Sequence, residues 1–163
     1  MKQVTLLESK ILSNPELESQ LEKWRNANQK VVFTNGCFDL LHLGHIDYLA
    51  KARDLGDKLI VGLNTDSSVQ RLKGLTRPIK DELSRAHILA AMQFVDAVIF
   101  FEEETPIDLI SRVKPDVLVK GGDYTLEGIV GHEVVLKNGG EVCTIDFVPG
   151  YSSSTLIDKI IKR

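Results

Sequence analysis

The segment KVVFTNGCFDLLHLGHIDYLAKA, Lys30 to Ala52, decides how this sequence folds. It opens as a run of Val, Val and Phe, breaks at Asn35 and Gly36, and resumes around Gly44 with Ile46, Leu49 and Ala50 at helical spacing. An apolar run of strand length, a glycine-bearing loop and an amphipathic stretch make one strand-to-helix unit. The strand is expected to end near Thr34 and the helix to begin at Gly44 or His45. The unit then repeats. KLIVGLN, AVIFF, DVLVK and EVCTIDF read as further strands, while Ile88, Leu89 and Met92, then Ile107, Ile110 and Val113, mark crossover helices. Continuous apolar strands separated by helices predict a doubly wound α/β fold, a five-stranded parallel sheet with helices on both faces. In such sheets ligands bind beyond the strands' carboxyl ends.

A chain of 163 residues builds one full core. Residues 1–28 precede the alternation and read as a helical leader packed on a domain spanning 29–163, broken at SNPE, where Ser13 or Asn14 caps a helix and Pro15 takes its first position. Apolar residues at 43% and charged ones at 26% fit an ordinary folded protein. The net charge of −3 supplies no broad positive field, which argues against nucleic acid and leaves any phosphate to be held by a few aimed groups. Glu8, Ser9 and Lys10 interrupt the amino terminus before a signal-peptide run forms, and no membrane span follows, so a cytoplasmic protein is expected. Cys37 and Cys143 are the two cysteines, without a Cys-x-x-Cys, and Cys143 reads as a buried small side chain. One long connection, KGLTRPIKDE, is basic and of a length common in functional loops.

The turn after the first strand has the makings of an anion site. Amide groups unpartnered at a helix start point outward, and the macrodipole adds positive potential where phosphate binds. His42 and His45, three apart around Gly44, add two hydrogen-bonding rings, and Gly44 lets a ligand approach the backbone. A zinc pair completed by Cys37 is a second reading, but no further ligand set accompanies it. Imidazoles that merely cap a loop are a third.

GCFDLLHLGH resembles the His-x-Gly-His segment of the cytidylyltransferase-like nucleotidyltransferases. RPIKDELSRAHILAAMQFVDAVIFFEEETP, PDVLVKGGDY and GYSSSTLIDKI follow in the order and spacing of the bacterial heptose 1-phosphate adenylyltransferases, from about Lys30 to the end. The resemblance implies a Rossmann-like nucleotidyltransferase fold. It also implies transfer of AMP from ATP to D-glycero-β-D-manno-heptose 1-phosphate, release of pyrophosphate, and a product feeding surface polysaccharide synthesis; triphosphate chemistry adds the expectation of Mg²⁺ accompanying ATP. Members often pair as homodimers and often share a chain with a sugar kinase, so a homodimer and association with a heptose kinase are what the family allows; the sequence reads as a free-standing form or an excised domain.

Carried over residue by residue, the resemblance makes His42 and His45 catalytic, holding triphosphate oxygens through the transition state. Lys73 joins them from the basic loop, with Arg71 and Arg77 as alternates. Thr34, Asn35, Gly36, Cys37 and Phe38 lie under the nucleotide with Gly44. Lys120, Gly121, Gly122 and Asp123 follow the fourth strand, and Ser153, Ser154 and Thr155 open the last helix opposite the histidines. That helix carries Leu156, Ile157, Ile160 and Ile161 on one face. Asp39 and Arg85 are the substrate-binding expectations, the first with turn capping as its rival role, the second for its planar fork. Related cytidylyltransferases often carry a basic residue before the last helix; FVPGY has none, which shifts weight to Lys120 or Lys73. No cage of metal ligands is evident. Two other functions fit the same residues: a cytidylyltransferase for glycerol 3-phosphate or another alcohol phosphate, and an ATP-sensing module without catalysis.

Overall fold

The computed structural model describes residues 2–122 and 124–162, so Asp123 lies outside the described residues. Six parallel strands form one sheet in the order β1-β4-β3-β2-β5-β6. β2 (Val31–Gly36) is central and is buried from Val31 to Thr34, as its unbroken apolar run predicts. It continues two residues past Thr34 because it pairs with β3 (Lys58–Asn64) as far as Gly36 opposite Leu63. β4 (Ala97–Phe101), β5 (Val117–Gly121) and β6 (Glu141–Ile145) complete the five expected strands.

The sixth strand corrects the five-strand reading. Residues 1–28 form α1 (Gln3–Glu8), β1 (Ile11–Leu12) and α2 (Asn14–Asn26), and β1 adds to the sheet edge with Ile11 opposite Val98 and Leu12 opposite Ile99. Two residues are too few to express an alternating pattern. The start of α2 is stabilised reciprocally by a capping box, Glu16 accepting from the Ser13 N–H at 2.7 Å and from its hydroxyl at 2.6 Å. Leu17, Leu21 and Trp24 then fall on one stripe and are buried with Val31, Phe33 and Ile60 on one face of the sheet.

The opposite face is covered by α3 (Leu43–Arg53) and α5 (Glu82–Ala90), which bury Tyr48, Leu49, Ala52, Ala86 and Leu89. The helical phase of α3 differs from the expectation. Ile46 is exposed, and Tyr48 turns inward because its hydroxyl bonds Thr34 at 2.6 Å and the Val119 carbonyl at 3.1 Å. α4 (Asp66–Lys73), α6 (Ile107–Val113) and α7 (His132–Lys137) follow β3, β4 and a single 3-10 turn at Leu126–Gly128. α8 (Ser153–Ile161) closes the chain with no fully buried residue; Leu156 and Ile157 are half-buried, Ile160 and Ile161 exposed. Cys143 is half-buried rather than enclosed. Among the described residues no helix is long and apolar enough to cross a membrane.

This topology positions the site. From β2 the chain moves outward through β3 and β4, then returns to add β5 and β6 on the other side. The crevice between the carboxyl ends of β2 and β5 is therefore the switch point, where neighbouring connections leave in opposite directions and make room for a ligand.

Candidate active site

A cavity of about 540 Å³ opens at this switch point. Asn35, Gly36, Cys37 and Phe38 line it from the end of β2, and Lys120 and Gly121 from the end of β5. His45 reaches it from the first turn of α3 and Ser153 from the first turn of α8. The two helix mouths are bridged directly, since the Ser153 hydroxyl donates to the Leu40 carbonyl at 3.0 Å. Ser152 rather than Ser153 caps α8, accepting from the Thr155 N–H at 3.0 Å; Ser154 and Thr155 are exposed and do not line the cavity.

The imidazoles stack on each other, ring centroids 3.9 Å apart and planes tilted by 32°. His45 lines the cavity and His42 lies behind it over Gly44. Burial, the nearby His42 ring and Lys73 push the His45 pKa down to about 4; burial also lowers that of His42. Both rings are thus neutral near pH 7. Each keeps a buried Nδ1 with no hydrogen-bond partner among the described residues. Gly44 has an ordinary helical backbone rather than unusual dihedrals; what it supplies is space, because an added Cβ would meet the His42 ring at 3.1 Å.

Of the three basic candidates near the loop, Lys73 lines the cavity. Arg71 pairs with Glu102 and Arg77 with Asp39. Lys120 is largely buried, which lowers its pKa, and its Nζ donates to Asn35 Oδ1 at 2.7 Å. Burial pushes the Cys37 thiol up against the opposing influence of Lys73, an environment unlike that of a nucleophilic thiolate.

Thr34 lies beneath the floor, fully buried, its hydroxyl engaged by Tyr48. Asp39 lines the cavity, but its carboxylate accepts from the Ile79 and Lys80 amides at 2.8 and 3.0 Å and from Arg77 Nε at 2.6 Å. Burial alone would raise this carboxyl; the two amides and the guanidinium outweigh it and hold the pKa below the usual value. Arg85, expected on a substrate phosphate, is fully buried and does not line the cavity. Sequence reading missed Tyr48, Asn64 and Phe147. Tyr48 carries the one available signal, an aromatic residue with a polar tip on the apolar side of a helix. Phe147 packs over Gly121, where an added Cβ would meet its ring at 2.4 Å.

A parallel sheet whose switch point holds a cavity large enough for a nucleotide, faced by two helix mouths, by His45 with His42 stacked behind it, and by two lysines, is suited to holding nucleotide phosphates. The chain belongs to the cytidylyltransferase-like family, whose model matches residues 33–158. It is 55% identical over 153 residues, 93% of its length, to the bifunctional protein HldE of Rhodopseudomonas palustris, and 55% identical over 154 residues to that of Citrifermentans bemidjiense. The chain spans about a third of these relatives, 31% and 32% of their lengths. Among solved structures it resembles a lipopolysaccharide core biosynthesis protein from Thermoplasma volcanium, with 33% identity, a TM-score of 0.58, and coverage of 74% of this chain and 97% of that one. A pantoate-beta-alanine ligase from Francisella tularensis shares the fold alone, at 17% identity and a TM-score of 0.56, over 94% of this chain and 79% of that one.

Proposed function

We propose that this chain transfers AMP from ATP to D-glycero-β-D-manno-heptose 1-phosphate. A phosphate oxygen of the sugar phosphate attacks the α-phosphorus, the bond from that phosphorus to the bridging oxygen of the β-phosphate breaks, and ADP-heptose and pyrophosphate form. The nucleophile is already anionic, so the task is to align two anions and stabilise charge as it builds. The observation that carries the reading is that His45 and Ser153, from two different helix mouths, line one cavity with Lys73 and Lys120. The likeness to HldE and to a lipopolysaccharide core biosynthesis protein supports a heptose phosphate as acceptor. Most of the length of each HldE relative lies outside the match, and the word bifunctional in its name leaves room there for a second activity, which the family resemblance makes a sugar kinase.

A neutral His45 has a ring N–H to offer an arriving phosphate oxygen, and the triphosphate's charge favours its protonated form. Lys73 and Lys120 offer amines to the same polyphosphate, whose charge favours the ammonium form of Lys120 against its burial. Magnesium would arrive with the triphosphate, since the ion keeps most of its waters and is bound largely through substrate phosphates. The ion would neutralise phosphate oxygens, while His45, Lys73, Lys120 and Ser153 orient the chain of phosphates.

The test is a panel of ATP or CTP against heptose 1-phosphate and glycerol 3-phosphate, read as pyrophosphate release. ATP with heptose 1-phosphate is the expected pair, and His45→Ala should lower its kcat about 10²–10³-fold. Turnover of CTP with an alcohol phosphate would reassign the chain as a cytidylyltransferase. Tight ATP binding with no pyrophosphate from any pair would make it a sensor.

A further inference from the structure

Arg85 is among the largest side chains fully withdrawn from solvent. A guanidinium is costly to bury, and here it is tolerated because its donors meet acceptors on every side. Nε donates to the Lys80 carbonyl at 3.1 Å, Nη1 to the carbonyls of Cys37 at 2.7 Å and Asn64 at 2.8 Å, and Nη2 to Asp66 Oδ1 at 2.7 Å. One fork thus ties the ends of β2 and β3 to the starts of α4 and α5. That leaves little with which to grip a phosphate.

We propose that Arg85 is a positioning residue: it sets the Cys37–Phe38 peptide so that the Phe38 amide faces the cavity as a phosphate donor and the Phe38 ring supports His45. This rests on the nucleotidyl-transfer reading above. In a planar trans peptide the carbonyl and the following N–H point in opposite directions. Arg85 holds the Cys37 carbonyl away from the cavity, so the Phe38 N–H turns toward it, and among the described residues no backbone group accepts from that N–H. Phe38 adopts a left-handed φ of 45°, a conformation a bulky residue keeps only when its surroundings impose it. Arg85 imposes it from one side. From the other, Asp39 is clamped by Arg77 and the Ile79 and Lys80 amides. The Phe38 ring then folds back over Gly36 and stands 5.4 Å from the His45 ring. Releasing the peptide therefore disturbs a backbone donor and the support of a catalytic imidazole together.

The test compares Arg85→Lys with wild type after thermal melts have verified folding. A single ammonium cannot span both carbonyls and Asp66. With the nucleotide and phosphate pair that wild type turns over, kcat should fall about 10²-fold; loss of the Phe38 donor should raise KM for ATP by no more than about tenfold, the worth of one hydrogen bond, while KM for the sugar phosphate changes less than about threefold. A folded variant with wild-type kcat overturns the proposal. So does a raised KM for the sugar phosphate at unchanged kcat, which would return Arg85 to direct substrate contact. Should Arg85→Lys not fold, Asp66→Asn loosens the same fork and should lower kcat about threefold to tenfold at unchanged KM; no change in kcat overturns it. A readout independent of turnover is the ¹⁵N NMR signal of the Phe38 amide. On adding ATP it should shift in wild type and shift much less in the folded variant, and equal shifts in both overturn the assignment. Failure of wild type to release pyrophosphate from any pair sinks the enzymatic reading instead, with the NMR comparison still deciding the role of Arg85.

Discussion

Gly44→Ala should separate activity from stability. The residue is buried in the first turn of α3 with ordinary helical geometry, so alanine fits its backbone and favours the helix by up to about 1 kcal/mol. Against this, the new Cβ would stand 3.1 Å from both Cε1 and Nδ1 of His42 and 3.5 Å from the Cβ of Tyr151. Relief requires the His42 ring to retreat by a few tenths of an ångström. That ring is stacked at 3.9 Å on His45, so the movement passes to the imidazole that lines the cavity. Since a displacement near 1 Å costs about 10²-fold in rate, a few tenths should lower kcat about threefold to tenfold. The melting temperature should stay within about 4 °C of wild type, because 1 kcal/mol shifts a domain of this size by about 2–4 °C. Continuous pyrophosphate detection and thermal melts on the same preparation measure both. Wild-type kcat at unchanged stability would refute the idea that the two rings move as a unit, and a collapse in stability would refute the claim that space, not backbone, is what Gly44 supplies.

Asp39→Asn should loosen the loop over residues 74–81, replacing a buried carboxylate that three donors share with a group that presents its own N–H to them; the expected loss is about 3 kcal/mol, read by urea unfolding, and a loss below about 1 kcal/mol would make the clamp decorative. Acid should weaken the fold in two windows. His45 has a folded pKa of about 4 against 6.5 ordinarily, so between those values the unfolded chain binds a proton that the folded chain refuses, and stability declines as pH falls from 6.5 toward 4. Asp39, held below the usual carboxyl value, contributes stability that disappears at lower pH, as it is protonated. Melts of His45→Gln should be flatter than wild type across the upper window and similar in the lower one; parallel curves throughout would show that His45 is not kept neutral by the fold.

The chain's own pattern announces most of the scaffold. Apolar runs at β2 to β5 are unbroken because those strands are covered on both faces, and burial alone accounts for them without long-range knowledge. The His-x-Gly-His segment and the serine-rich start of α8 are legible for a similar reason, since helix ends carry local signals in a few adjacent residues. What the pattern left open is the partner of each polar group. Arg85 reads as a free fork until the fold brings Cys37, 48 residues away, and Asn64, 21 residues away, against it. Asp39 reads as a ligand for substrate or as a turn cap until the loop at Ile79 and Lys80 folds onto it. Tyr48 and the two-residue strand β1 escape notice because one depends on a carbonyl of β5 and the other on the edge of β4. Periodicity records which side of an element avoids water, a property of neighbouring residues; hydrogen-bond pairing depends on where distant segments meet, and only the packed tertiary structure decides that.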